Sequence, residues 1–253
     1  MNNLIKKIKE KYELNGLPDT LVESVLDSYI NKNKIKDISS EKSRKIIIKE
    51  VREELRRYAG QYASKSNIKN RQTLVKTENF EELLSNHSST RERLEDYPLV
   101  KEMIKKINPK SILDLGCGIN PVAIAQKGVK YHVFDINHND LDIVEQLFKI
   151  KGIDGDIHHK DIRSIENFPK VDLCIIFKVL DILGDDRTKI SKHLLQTIDT
   201  KFFLVSFATR TLTGKPMNSP YRRWFETILK VLKYSYEVKR TKQELFYIIT
   251  KTI

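Results

Sequence analysis

A short apolar strand that breaks into a glycine turn restricts this chain's fold more than any other feature. Ser111-Ile112-Leu113-Asp114-Leu115 runs into Gly116-Cys117-Gly118, and a helix is predicted to start just past Pro121, with Val122, Ala123, Ile124 and Ala125 as its first residues. Neither Gly116 nor Gly118 carries a Cβ to restrict φ or block a ligand, so the backbone can pass within contact distance of one. Strand, glycine loop and helix in that order form the opening unit of a doubly wound α/β sheet.

The loop alone would also fit a nicotinamide site, but Pro121 stands where the dinucleotide fingerprint needs its third glycine. Asp114 precedes the loop and Asp135 closes the next predicted strand, Tyr131-His132-Val133-Phe134-Asp135. That pattern suits a ligand made of an amino acid and a nucleoside better than a pyrophosphate. S-adenosylmethionine (SAM) answers to the description.

From residue 111 onward strands and helices alternate. Strands are predicted at 111–115, 130–135, 156–161, 171–177, 202–207, 236–239 and 245–249, with helices such as 141–149 and 189–197 between them. Alternation of this kind gives a mostly parallel sheet covered on both faces, and two adjacent late strands suit an antiparallel edge. Residues 1–72 read as helices only, with the start signal Ser39-Ser40-Glu41 ahead of Ile46, Ile47, Val51, Leu55 and Tyr58 at helical spacing. Residues 64–77 are polar and read as a linker. The expected fold is therefore a Rossmann-like α/β domain over 76–253 preceded by an α-helical module over 1–75, separable from cofactor binding.

Charge is distributed unevenly. The formal net charge is +12, and residues 1–72 carry 17 basic against 10 acidic side chains. Residues 201–253 carry 11 against 3, whereas 73–200 carry 18 against 21. A solvated lysine-rich surface would account for the total; basic ends flanking a slightly acidic middle fit an extended polyanion crossing two surfaces. Lys45, Lys49, Arg52 and Arg56 gather on one side of the second helical stretch, either as a salt-bridged surface or as a phosphate-tracking face. Cys117 and Cys174 both fall in apolar segments, which fits a reducing cytosol better than a disulfide scaffold. No secretory leader and no run of membrane-span length is present, so a cytoplasmic monomer without membrane contact is expected.

Several residues carry the expected chemistry. Gly116 and Gly118 would pass under the methionine part of SAM, Asp135 would accept the ribose hydroxyls, and Asp161 and Ile162 would flank the adenine. Lys178, directly after the run Leu173 to Phe177, would face the transferring methyl. His158, His159 and Asp161 lack further ligands at metal-binding spacing, so no metal is expected. Ser89 and Glu92 stand at capping-box spacing, while Arg91 and Arg93 sit near a helix start, where the macrodipole favours an anionic partner. Tyr221, Trp224 and Phe225 share a helical face and read as core, with Arg222 and Arg223 left to reach phosphate.

After the fourth strand stands Phe177-Lys178-Val179-Leu180, not the Asp/Asn-Pro-Pro-aromatic run by which methylases hold an exocyclic amine. Cys174 lies inside an apolar strand with nothing to activate it as a nucleophile. Acceptors that already carry a lone pair remain, and guanine N7 is one, needing orientation and electrostatics only.

His87-Ser88-Ser89-Thr90-Arg91-Glu92-Arg93-Leu94, Leu113 to Pro121, Lys178-Val179-Leu180 and Val205 to Lys215 together resemble the aminoglycoside-resistance ribosomal RNA (guanine-N7) methyltransferases, over almost the whole chain. The resemblance implies SAM as cofactor and the decoding region of small-subunit ribosomal RNA as target. It further implies that Arg91 or Arg93 holds the SAM carboxylate and that the loop Arg210 to Lys215 meets the flipped guanine. A transfer-RNA guanine-N7 methyltransferase and a non-catalytic ribosome assembly factor on the same fold remain alternatives.

Overall fold

The computed structural model describes residues 2–35, 37–38, 40–60, 65–211 and 214–252. Three helices open the chain, α1 (Asn2–Lys9), α2 (Asp19–Lys32) and α3 (Glu41–Leu55). They bury Ile8, Leu26, Val51 and Leu55 in a core of their own. Ser40 caps α3, its hydroxyl accepting from the Ser43 N–H; Ser39 lies outside the described residues. Beyond α3 the chain makes a π-helical turn, Arg56–Gly60.

The predicted linker is corrected: Lys65–Lys76 form a helix, α4. The stretch reads as polar because few of its residues are apolar; Leu74 and Val75 are buried anchors near its end. Its Arg71 is nonetheless 1% exposed, donating to Asp140 Oδ1 at 3.0 Å and to the Asn86 carbonyl at 3.2 Å. A charged partner supplied by a distant element lets a cation go inside, and no local pattern announces it.

Helices α5 (Phe80–Ser85), α6 (Ser88–Arg93) and α7 (Tyr97–Ile107) lead into the sheet. Its strands are β1 (Ser111–Leu115), β2 (Lys130–Asp135), β3 (Gly155–His159), β4 (Leu173–Phe177), β5 (Phe202–Ala208), β6 (Ser235–Arg240) and β7 (Glu244–Thr250). They lie in the order β3-β2-β1-β4-β5-β7-β6. The first five are parallel, and β7 runs antiparallel between β5 and β6. Helices α8 (Pro121–Ile124), α9 (His138–Lys151), α10 (Arg187–Thr197) and α11 (Arg223–Leu232) complete the crossovers. One core packs α7 and α9 on the sheet through Val100, Met103, Val144 and Leu147, and a second packs α10 and α11 on the other face through Leu194, Leu195, Phe225 and Leu229. The expected Rossmann-like architecture is borne out. Strand order reverses between β1 and β4, and a ligand belongs in the crevice beyond their carboxyl ends.

Two local expectations are corrected. α6 begins at Ser88 with His87 in the cap position and no side-chain cap bond, so Ser89 and Glu92 form no capping box. Tyr221 is 48% exposed and precedes α11, while Phe225 is fully buried. Arg222 has non-helical angles and the helix starts only after it, so Tyr221 does not share a helical face with Trp224 and Phe225.

Candidate cofactor site

The loop after β1 is built by backbone donation. Gly116 N and Cys117 N both donate to the Phe134 carbonyl, at 2.8 and 3.1 Å. Gly118 N donates to Asp135 Oδ2 at 2.7 Å, and Asn137 N donates to Oδ1 at 2.8 Å. Gly116 and Gly118 hold φ of +67° and +49°, the left-handed region that glycine tolerates. At Gly116 the space freed by the missing Cβ goes to Val179, whose Cγ2 would lie 2.4 Å from it. Close approach at this glycine is thus partly packing rather than ligand.

These residues line a cavity at the carboxyl ends of β1, β2 and β4, together with Arg93, Asn120, Asp161, Ile162, Phe177 and Lys178. Burial, and next the neighbouring Asp140, push Asp135 up to about 6 against the pull of its two backbone donors. Each Asp135 oxygen takes one N–H and keeps a lone pair for a hydroxyl. Asp161 caps the turn Ile162–Ser164 by accepting from Arg163 N, and takes the Arg163 guanidinium through Nε at 2.9 Å and Nη2 at 2.5 Å.

At the far end lies a buried ionic cluster. Arg93, 2% exposed, donates from Nε to Glu244 Oε1 at 2.8 Å, with its guanidinium carbon 4.5 Å above the Phe177 ring. Lys178 Nζ lies 2.6 Å from Glu92 Oε2 and 3.3 Å from Glu244 Oε1. The Ser206 hydroxyl donates to Glu244 Oε2 at 2.6 Å. Although burial works against it, Arg93 and then Lys178 hold the Glu244 carboxyl below the usual carboxylate range. Lys178 has φ +59°, a left-handed turn that folds its side chain back over the strand ends.

Of the two arginines offered for the SAM carboxylate, Arg93 lines the cavity, whereas Arg91 is exposed and outside it. Asp114 also lies outside: it takes a hydrogen bond from Asn120 Nδ2 at 3.0 Å, and burial pushes it up to about 7. Asn120 Oδ1 in turn accepts from Tyr97 Oη at 3.1 Å and Arg93 Nη1 at 3.4 Å, so Asp114 steadies the wall behind the ligand. A diol acceptor at one end, a guanidinium at the other and Ile162, Leu183 and Phe177 between them fit SAM.

Sequence reasoning did not single out Tyr58, His87, Asn120, Asp140 or Glu244 for the cofactor. Asp140 holds Arg71 and faces His87 Nε2 at 3.4 Å, while His87 packs beside Gly118. Residues 1–72 nevertheless touch the site from which they are expected to be separable: Tyr58 lines the cavity and Arg71 fixes a residue that does.

The basic candidates divide. Lys45 and Lys49 are exposed beside Glu41 and Glu50, and with Arg52 and Arg56 they border a groove between α1 and α3. Arg52 turns inward, donating to the carbonyls of Ile8 and Lys7, and Arg56 pairs with Glu13 at 2.9 Å. Arg210 donates to the Gly214 carbonyl at 2.7 Å and Lys215 is exposed, while Leu212 and Thr213 lie outside the described residues. Arg223 is exposed. Arg222 is corrected: 9% exposed, it grips both oxygens of Asp181 and the carbonyls of Pro220 and Ala208. Unlike Arg93, it does not line the cofactor cavity, and its donors point into the protein and not toward an outside phosphate.

His158, His159 and Asp161 do not converge, since His159 Nε2 turns to the carbonyls of Gly16 and Ile136. Among the described residues His132, Asp156 and His158 do lie together, with Lys130 Nζ 3.5 Å from the Asp156 carboxylate supplying a positive charge there. No helix among them is long and apolar enough to cross a membrane.

Comparison with known proteins agrees with this geometry. A 16S rRNA (guanine(1405)-N(7))-methyltransferase of Serratia marcescens is 30% identical over 215 residues, covering 83% of this chain and 85% of its own. One of the same description from Frankia casuarinae is 25% identical over 65% of this chain and 61% of its own. An rRNA methylase structure from Escherichia coli superposes with a TM-score of 0.82 at 25% identity, over 99% of both chains. The 16S rRNA methyltransferase RmtF, solved with S-adenosyl-L-homocysteine, shares the fold with a TM-score of 0.84 at 22% identity, over 99% of this chain and 98% of its own. The family described as ribosomal RNA methyltransferase (FmrO) matches residues 73–248, from the end of α4 to the last strand, and the chain belongs to that family.

Proposed function

We propose that this SAM-dependent methyltransferase modifies N7 of a guanine in the decoding region of small-subunit ribosomal RNA, as a cytoplasmic monomer. The observation that carries the reading is the fixed cation after β4. Lys178 is held between Glu92 and Glu244, which makes it an orienting charge and not a base. When bound, SAM supplies an electrophilic methyl group. Guanine N7 attacks with a lone pair in the plane of the ring, so this chain has only to hold the base in line and exclude water. Arg93 would grip the cofactor carboxylate, Asp135 the ribose, and Asp161 with Ile162 the adenine.

Residues 1–75 would serve as the RNA-gripping module through Lys45, Lys49 and Arg56, with Lys215, Arg210 and Arg223 forming the second basic surface. A guanine inside a helix would be turned out into the cavity at a cost of about a few kcal/mol. The test is methyl transfer from labelled SAM to small ribosomal subunits and to transfer RNA, followed by borohydride and aniline cleavage. A cut in the small-subunit RNA alone is expected. Label without cleavage, or cleavage confined to transfer RNA, overturns the reading.

A further inference from the structure

Tyr58 belongs by sequence to the N-terminal helices, yet its side chain ends at the cofactor cavity beside Asp161, Ile162 and Arg163. It sits in the π-helical turn Arg56–Gly60, and such turns recur at functional sites because they redirect a side chain that a regular helix would place elsewhere. The Arg163 guanidinium carbon lies 4.8 Å over the Tyr58 ring. That guanidinium is the one that binds Asp161. A relay therefore runs from ring to guanidinium to the carboxylate at the adenine end.

The other side of the same turn faces the basic groove. Arg56 lines that groove and donates through Nε and Nη2 to Glu13 Oε1, at 3.0 and 2.9 Å. A phosphate entering the groove would meet Arg56 two positions from Tyr58, in the same π-helical turn. His159, which ends β3, ties Gly16 of the helical module to Ile136 of the sheet domain and holds the two in register.

We propose that Tyr58 closes the adenine end of the cofactor cavity as a positioning residue acting through Arg163, and that anion binding at Arg56 strengthens this closure. Docking on RNA and cofactor binding then favour each other. By linkage, the factor by which RNA tightens the cofactor equals the factor by which the cofactor tightens RNA. The coupling rests on the RNA reading above; the closure by Tyr58 does not.

Calorimetry of the full chain with S-adenosylhomocysteine tests the closure in the absence of RNA. Tyr58→Ala is expected to weaken binding about tenfold, and Tyr58→Phe, which keeps the ring, to restore it to within about twofold. The thermal midpoint should match the wild type in Tyr58→Phe and fall in Tyr58→Ala, because the ring also packs against the helical core. Because Tyr58→Ala disturbs that packing, Arg163→Ala, which removes the relay without touching the helical core, must reproduce the tenfold loss. Wild-type affinity in Tyr58→Ala, or in Arg163→Ala, overturns the proposal. Repeating the titration with saturating small ribosomal subunits should tighten the product at least threefold in the wild type and not in Tyr58→Ala; equal tightening in both overturns the coupling. Subunits that fail to bind the wild type at all sink the RNA reading, with the RNA-free result standing apart from it.

Discussion

Arg93 and Glu244, 151 positions apart, form a buried two-point ion pair with Nε to Oε1 at 2.8 Å and Nη2 to Oε2 at 3.2 Å. The carboxylate also faces Lys178, so one anion on the last strand serves two cations at the cofactor end of the sheet. Glu244→Gln would leave Arg93 without a charged partner and Lys178 with Glu92 alone. A loss of about 3–5 kcal/mol is expected, read as a fall in the urea midpoint, because breaking a buried pair costs far more than an exposed pair contributes. An unshifted midpoint would show that the cluster carries no stability.

Asp135→Ala should weaken SAM about a hundredfold or more. Two charge-assisted hydrogen bonds to the ribose would go, at about 1.5–3 kcal/mol each. The N–H groups of Gly118 and Asn137 would lose their acceptor as well. Calorimetry on a variant shown to be folded by circular dichroism decides it.

The fold was largely readable because short continuous apolar runs and glycine turns are local signals; β1, β2 and β5 fall within a residue of where the sequence places them. What was not readable are pairings made at long range. Arg222 and Arg223 are adjacent and chemically identical, yet one is enclosed by Asp181 and two carbonyls while the other meets solvent. Arg71 looked like part of a linker until Asp140 stood opposite it. Glu244 was visible only as the head of an apolar strand. Burial of a charge depends on who faces it, which spacing along the chain does not encode.

That contrast can be measured. Arg222→Ala should lower stability by about 3 kcal/mol or more, since Asp181 and two carbonyls lose a shared donor. RNA affinity in the folded fraction should be unchanged. Arg223→Ala should leave the thermal midpoint within a degree or so of wild type, weaken RNA binding and reduce the salt dependence of that binding by about one counterion. Swapped outcomes would reverse the assignment.

Asp114 gives a pH signature. Its carboxyl is raised to about 7 in the folded chain by burial, so below its unfolded value of about 4 it is protonated in both states and contributes nothing. As pH rises from there to 7 the unfolded chain gives up the proton and the folded one resists, so stability falls, and the full cost is present above 7. Asp114→Asn, a neutral group of the same shape that keeps an acceptor for Asn120, should therefore raise the melting temperature at pH 8. Near pH 4 the two proteins should melt together. SAM affinity should not change, because the residue lies behind the cavity wall.

Lys178→Ala should lower kcat more than it raises the dissociation constant of SAM, because its proposed part is to orient the acceptor. In the wild type kcat should stay level between about pH 6.5 and 9. Asp135 titrates below that window, at about 6, and Asp114 titrates within it but outside the cavity. A rate-controlling ionisation near neutrality would point to an acceptor that must lose a proton.

The position of Glu244 at the head of β7 also sets an order of events during synthesis. Arg93 leaves the ribosome early, and β1 to β5 can pair as they emerge, but the counter-charge for Arg93 arrives only when β7 slides in beside β5; until then Lys178 has Glu92 alone. A nascent chain carries a sheet with an unbalanced guanidinium at its cofactor end, which disfavours closing that end. The enzyme is thus assembled to bind its cofactor only as its final strand is delivered by a particle of the kind whose RNA it is proposed to methylate.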